Sequence, residues 1–147
     1  MDLGMDGLGT AGMLHDIGKI ATDKRVLNKR GALDQAEWRE IQRHPEVGYN
    51  ILSAVNDYAP LAEYVLAHHE RWDGSGYPNG LRGAAIPRVA RVIAIADAYD
   101  AMTSDRPYRQ GMSHEDALLE IQRCSGTQFD PDIVRVFLAM MNGSARP

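Results

Sequence analysis

A chain of 147 residues that is 44% hydrophobic and 24% charged has room for one buried core and the composition of a globular domain. Its net charge of −4 excludes the basic face of a nucleic-acid polymer binder, though a few local arginines can still grip a small phosphate ligand. The lone Cys124 excludes an internal disulfide and a cysteine-rich zinc cluster, which points to a reducing, cytoplasmic setting.

In chain order, the apolar periodicity predicts a first helix from about Leu8 to Ile17, stopped by Gly18. Residues from Lys19 to Leu33 show no helical period and contain Asn28 and Gly31, so a loop is expected. Asp34 with Glu37 three residues on forms a capping-box signature for a helix through Trp38 and Ile41. Pro45 restarts a helix carrying Val47, Ile51 and Leu52, and Pro60 opens another carrying Leu61, Tyr64, Val65 and Ala67. From Arg71 to Ile86 the glycines and Pro78 predict a long ordered loop. Pro87 begins the most apolar helix, which ends near Thr103. Ser113 with Asp116 caps a further helix, and Asp130-Pro131 caps the last, through Met141. Strand patterning is weak throughout. The expected fold is all-α, a compact helical bundle over residues 1–142 with one long Gly-rich loop and a tail at 143–147. No apolar run approaches the ~20 residues of a membrane span, and the Gly- and Asp-rich start lacks the basic and apolar regions of a secretory signal, so no membrane insertion is expected.

His15-Asp16, His68-His69 and Asp97 each interrupt an apolar stretch that reads as buried helix. A charge in such surroundings must be paired, neutralised or bound to metal, and the sequence offers no matching set of buried cations. His44, just before Pro45, adds a third imidazole source. Taken singly, each has a plain reading: a chance His-Asp dipeptide, a helix-capping pair, a loop histidine. Together they favour divalent metal ligation, and six such donors are too many for one tetrahedral zinc and suit two ions. His114, next to the expected cap Ser113, is read as exposed and set aside.

The runs Leu14-His15-Asp16-Ile17-Gly18-Lys19, His68-His69-Glu70-Arg71-Trp72-Asp73-Gly74-Ser75-Gly76-Tyr77-Pro78, Ile93 through Asp97 to Arg109, and Phe129-Asp130-Pro131 resemble the HD-GYP domain, a branch of the HD phosphohydrolase superfamily. The resemblance implies an HD-type helical bundle that hydrolyses the bacterial second messenger cyclic di-GMP to pGpG, GMP or both. It implies a two- or three-metal centre of iron or manganese, with zinc, nickel, magnesium or calcium as stand-ins in a crystal. The family's ligands fall on His15, Asp16, His44, His68, His69 and Asp97, its lysine on Lys19, and its signature on Gly76, Tyr77 and Pro78. Members carry a further helix upstream, with another ligating histidine and, in three-metal members, a glutamate. Met1 to Thr10 holds no histidine, so the chain is either a fragment of a longer protein or naturally lacks that ligand, and two metals rather than three are expected; an upstream regulatory domain in a longer parent and a homodimer through the uncovered face are expected as well.

Within that frame Asp16 is expected to bridge two metals and Lys19 to neutralise charge on the phosphoryl oxygens. The loop from Asp73 to Gly83 would line the mouth, with Tyr77 stacking on guanine, contacting a phosphate, or packing the loop. Arg106 and Arg109 suit planar contacts to phosphate or guanine; the alternatives are surface pairs with Asp105 and Asp100. Asp73 and Asp100 are expected to orient imidazole N–H groups. The alternative to an enzyme is a weak or inactive module that binds cyclic di-GMP or a partner protein; an HD hydrolase of another nucleotide is a third reading.

Overall fold

The computed structural model describes residues 4–106 and 109–143, with side chains described from Gly7 onward. Residues 144–147 of the expected tail, and Pro107 and Tyr108 of the third motif run, lie outside the described residues. All regular structure among the described residues is helical, accompanied by the isolated bridges Arg106–Arg109 and Ser125–Phe129. No helix among them is long and apolar enough to cross a membrane. The chain divides into two compact units. One comprises the described residues up to His69 together with Tyr77–Asn79; the other comprises Glu70–Gly76 and the described residues from Gly80 onward.

The first unit contains α1 (Gly4–Leu14), α2 (Lys24–Leu27), α3 (Gln35–Ile41), α4 (His44–Ser53) and α5 (Ala62–Ala67). Its core is formed by Ala11, Leu52, Leu61, Ala62, Val65 and Ala67. The first helix stops earlier than expected: His15 and Asp16 lie in a turn, and a 3-10 helix over Ile17–Ala21 follows. Gly18 is therefore no helix terminator. A Cβ built on it would lie 1.8 Å from the His44 carbonyl oxygen and 2.7 Å from the Gly48 amide nitrogen, so the glycine permits direct backbone contact with α4. The expected Lys19–Leu33 loop also contains α2, too short to show a period, whose N-cap Asp23 accepts the Arg25 N–H at 2.8 Å. The Asp34–Glu37 capping box forms as expected and opens α3.

His44 is not a loop residue. It begins α4, with Pro45 in the first turn, where a missing N–H costs nothing. Pro60 lies within a 3-10 turn, Ala59–Leu61, that precedes α5.

In the second unit, α6 (Arg88–Thr103), α7 (His114–Arg123) and α8 (Pro131–Gly143) pack around Ile95, Ile121, Phe129 and Val134. Ser113 accepts the Asp116 N–H at 3.1 Å, and Asp130 accepts the Asp132 N–H at 2.9 Å, as their cap signatures predict. The second oxygen of buried Asp130 accepts from the Arg91 guanidinium at 2.6 Å. The Gly-rich segment is a loop apart from the 3-10 turn Gly83–Ala85; Gly74 (φ +82°) and Gly80 (φ +66°) make the left-handed turns that define its path. Its first arm is held by Trp72 N–H to Gln128 O at 3.1 Å and Asp73 N–H to Thr127 O at 2.8 Å.

Candidate metal centre

In the first unit, Asp16, His44, His68 and His69 each offer one ligand atom, and these atoms all lie within 4.8 Å of one another. His44 and His68 are 1% and 2% exposed, whereas Asp16 and His69 are half-buried. Three imidazoles of this unit are oriented in the same way, by the carbonyl three residues earlier. His15 Nδ1 bonds Gly12 O, His44 Nδ1 donates to Ile41 O at 2.7 Å, and His68 Nδ1 donates to Val65 O at 2.6 Å. A carbonyl oxygen can only accept, so Nδ1 must carry the proton and Nε2 of the neutral ring presents a lone pair. Asp73 and Asp100 do not take the orienting role expected of them at these three rings. Asp73 instead accepts from Ser75 and Arg71, and Asp100 from Ser104.

The consequence is a cluster of electron pairs with no proton to share. His44 Nε2 and His68 Nε2 stand 3.3 Å apart. Asp16 Oδ1 lies 3.3 Å from the former and 3.9 Å from the latter. That oxygen is buried and accepts no hydrogen bond. Burial, followed by the neighbouring His69, pushes His68 down to about 3, so it remains neutral at physiological pH. Lone pairs held this close repel unless a cation lies among them, and two imidazole nitrogens with a carboxylate oxygen suit a divalent transition metal.

The other carboxylate oxygen has different company. Asp16 Oδ2 lies 3.3 Å from His15 Nε2 and accepts from Lys19 Nζ at 3.0 Å. Burial works against ionisation of Asp16, but His15 and the Lys19 ammonium help hold its carboxyl well below the usual carboxylate range. His69 lies against His68 (centroids 4.1 Å apart) and edge-on to His44 (4.9 Å), while Tyr77 stacks on it at 5.0 Å with planes 18° apart.

The remaining candidates belong to the second unit, apart from Pro78, which follows Tyr77 in the first through a cis peptide bond. Asp97 lies on α6 and is half-buried. Its apolar neighbours had suggested full enclosure, but α6 buries Ala90, Ile93 and Ile95 while Ala96 faces solvent. Gly76 is half-buried in the loop. Arg106 and Arg109 are exposed and joined through their main chains at 2.8 and 3.1 Å; the Arg109 guanidinium donates to Ala101 O at 2.7 Å. Asp105, offered as a surface partner for Arg106, accepts the Gly111 N–H at 2.8 Å.

Sequence reasoning overlooked the carbonyls of Gly12, Ile41 and Val65, and the close backbone approach at Gly18 and Gly48. No sequence signal marks these carbonyls, because every residue carries one.

Known proteins resemble this chain in sequence and in fold. The chain is 44% identical over 134 residues to a cyclic di-GMP phosphodiesterase of Thermotoga maritima, an alignment covering 88% of this chain and 36% of that protein. It is 38% identical over 135 residues to the 3'3'-cGAMP-specific phosphodiesterase 3 of Vibrio cholerae, covering 92% and 29% respectively. It therefore spans about a third of the length of these curated relatives. The crystal structure of a cyclic GMP-AMP specific phosphodiesterase from Vibrio cholerae has the same fold, with a TM-score of 0.69 at 20% identity over 95% of this chain and 38% of that one. The HD domain profile matches residues 6–133, and the chain belongs to the HD domain family.

Proposed function

We propose that this domain is a metal-dependent phosphodiesterase of bacterial cyclic-dinucleotide signalling, hydrolysing cyclic di-GMP to pGpG, GMP or both in the cytoplasm. The observation that carries the reading is the buried, unshared Asp16 oxygen facing the lone pairs of His44 and His68. The names of the relatives and the long motif runs support the substrate class. His15, Asp16, His44, His68, His69 and Asp97 are the proposed ligands of two divalent ions, iron or manganese. Metals held by such donors supply Lewis acidity and make hydroxide accessible near neutral pH.

The residues of the chain divide the remaining work. Asp16 turns one oxygen to His44 and His68 and the other to His15, the division of a bridging carboxylate. Lys19 keeps an ammonium beside that carboxylate, suited to charge that develops on phosphoryl oxygens. Gly76, Pro78, Arg106 and Arg109 are proposed for substrate contact. Arg106 is the stronger arginine candidate, because its guanidinium is exposed whereas that of Arg109 already bonds the Ala101 carbonyl. A relative specific for cyclic GMP-AMP makes that dinucleotide the second substrate to test.

The deciding experiment loads the chain with Mn2+ or Fe2+ and follows cyclic di-GMP, 3'3'-cGAMP and linear pGpG separately. Hydrolysis of a cyclic dinucleotide is the expected result. A metal-loaded chain that binds but cleaves neither cyclic substrate would establish the binding-module alternative instead.

A further inference from the structure

We infer that the cleft between the first turns of α6 and α8 is a second ligand site, one that takes the terminal phosphate of a linear guanine nucleotide. The inference rests on the functional reading above, because GMP and pGpG carry such a phosphate and cyclic di-GMP does not. The cleft has a volume of about 440 Å³, within the roughly 300–1,000 Å³ of small-molecule sites, and its lining belongs wholly to the second unit. It shares no residue with the proposed metal ligands.

Three guanidiniums line this cleft, a concentration of positive charge on a chain whose net charge is −4. Arg91 is held in place. It donates to Asp130 at 2.6 Å and lies over the Trp72 ring at 5.8 Å, and Asp130 is itself only 5% exposed and accepts the Asp132 N–H. The Arg91 Nε is buried and donates no hydrogen bond, so Asp130 leaves part of the guanidinium's donor capacity unused. Arg88 lies one turn earlier on the same face of α6, is exposed, and makes no ion pair among the described residues. Arg135 has only a 3.5 Å contact with Asp132, and a pair with side chains 77% and 88% exposed releases its guanidinium readily. With Arg91 and Asp130 offsetting each other, two guanidiniums face one carboxylate, and positive charge is in surplus. A guanidinium matches two phosphate oxygens at once, and a phosphate monoester carries more charge than the diesters of a cyclic dinucleotide, so the cleft favours a linear end. Val92, Ile133 and Val136 supply apolar wall for a base, and the exposed Asp132 carboxylate is an acceptor suited to the guanine 2-amino group.

The test titrates GMP, inorganic phosphate and cyclic di-GMP calorimetrically into the full chain, stripped of metal and dialysed, so that no cation offers the phosphate another partner. The variants are Arg88→Ala, Arg135→Ala and, as control, Arg123→Ala, whose exposed guanidinium pairs with Glu120 on α7. Thermal melts check folding. A hydrogen bond between charged groups is worth roughly 10-fold or more in affinity. Wild type is expected to bind GMP roughly 10-fold more tightly than either phosphate or cyclic di-GMP. Arg88→Ala and Arg135→Ala should each weaken GMP roughly 10-fold, and Arg123→Ala should stay within about 2-fold. Absence of GMP binding by wild type overturns the site, as does an affinity unchanged in both cleft variants or lowered equally in Arg123→Ala. Inorganic phosphate bound as tightly as GMP overturns the nucleotide assignment, and cyclic di-GMP bound as tightly overturns the preference for a linear end. A metal-loaded chain that cleaves a cyclic dinucleotide, while its metal-free form ignores GMP, overturns this inference alone. GMP binding by a chain that cleaves neither cyclic substrate overturns the functional reading and leaves the site standing.

Discussion

The most informative perturbation is a single methyl group at Gly18. In Gly18→Ala the new Cβ would stand 1.8 Å from the His44 carbonyl oxygen and 2.7 Å from the Gly48 nitrogen. Real Cβ contacts essentially never fall below 3.0 Å, so the two backbone segments must separate by about 1.2 Å. The obstacle is main chain, and no rotamer change relieves it. Overpacking typically costs about 1–3 kcal/mol, and a backbone obstacle places this substitution at or above about 3 kcal/mol. For a chain of this size that corresponds to a melting point lower by roughly 6–12 °C. The displaced element is the first turn of α4, which carries His44, so Mn2+ affinity should fall as well, by roughly 10-fold or more. Gly12→Ala supplies the control: its Cβ meets nothing within 4 Å, it lies within α1, and it should be neutral or slightly stabilising. Calorimetric melts of the metal-free chain and Mn2+ titrations of both variants decide the matter. A Gly18→Ala chain that melts and binds like wild type would refute the close backbone contact and its role in setting His44.

Asp16→Ala should abolish turnover and lower metal content together. Lys19→Ala should keep its metal, lose roughly 10²- to 10³-fold in turnover, and melt within about 1 kcal/mol of wild type because its ion pair is partly exposed; equal metal loss in both variants, measured by elemental analysis, contradicts that division of roles. Arg106→Ala should weaken cyclic di-GMP binding roughly 10-fold with metal and melting point unchanged, since the side chain is exposed; unchanged affinity across several salt concentrations returns it to the surface. The metal-free chain should lose stability on acidification. With His68 pushed down to about 3 from an ordinary 6.5, the unfolded chain binds the extra proton between those values, so stability declines as pH falls from about 6.5 toward 3. Asp16, also depressed, acts in the same direction below about pH 4. Replacing His68 with Gln should flatten the melting curve against pH in the upper part of that window; an unchanged slope shows that His68 does not drive it.

What was legible in the sequence was what is chemically local. The caps at Asp34, Ser113 and Asp130 depend on side chains two or three residues from the amides they serve, so type and spacing identify them. The bounds of α6 follow from Pro87 and a long apolar period. Short elements escaped: α2 and the Ile17–Ala21 turn are less than two turns long and have no period to read. Asp97 shows the opposite error. Its run of apolar neighbours suggested complete burial, but a helix turns each successive residue about 100°, so an unbroken apolar run still sends some residues outward.

At the metal cluster, residue types were legible and the forces that arrange them were not. Histidine and aspartate announce ligand chemistry because few other side chains offer those lone pairs, and four of the named donors converge within the first unit. Their orientation depends on main-chain carbonyls, which every residue possesses and which therefore leave no compositional mark. Gly18 was misread for a related reason: a glycine that ends a helix and one that admits a neighbouring backbone are identical in sequence, and only the 1.8 Å approach to His44 distinguishes them. Both omissions concern the same physical object, the peptide group. Carbonyls turn three rings so that Nε2 carries the lone pair, and the close approach of two main chains brings one of those rings to Asp16. Donor identity alone would allow hydrogen-bonded histidines with no metal affinity. The tautomer imposed by the backbone is what makes this set of side chains fit to receive a cation.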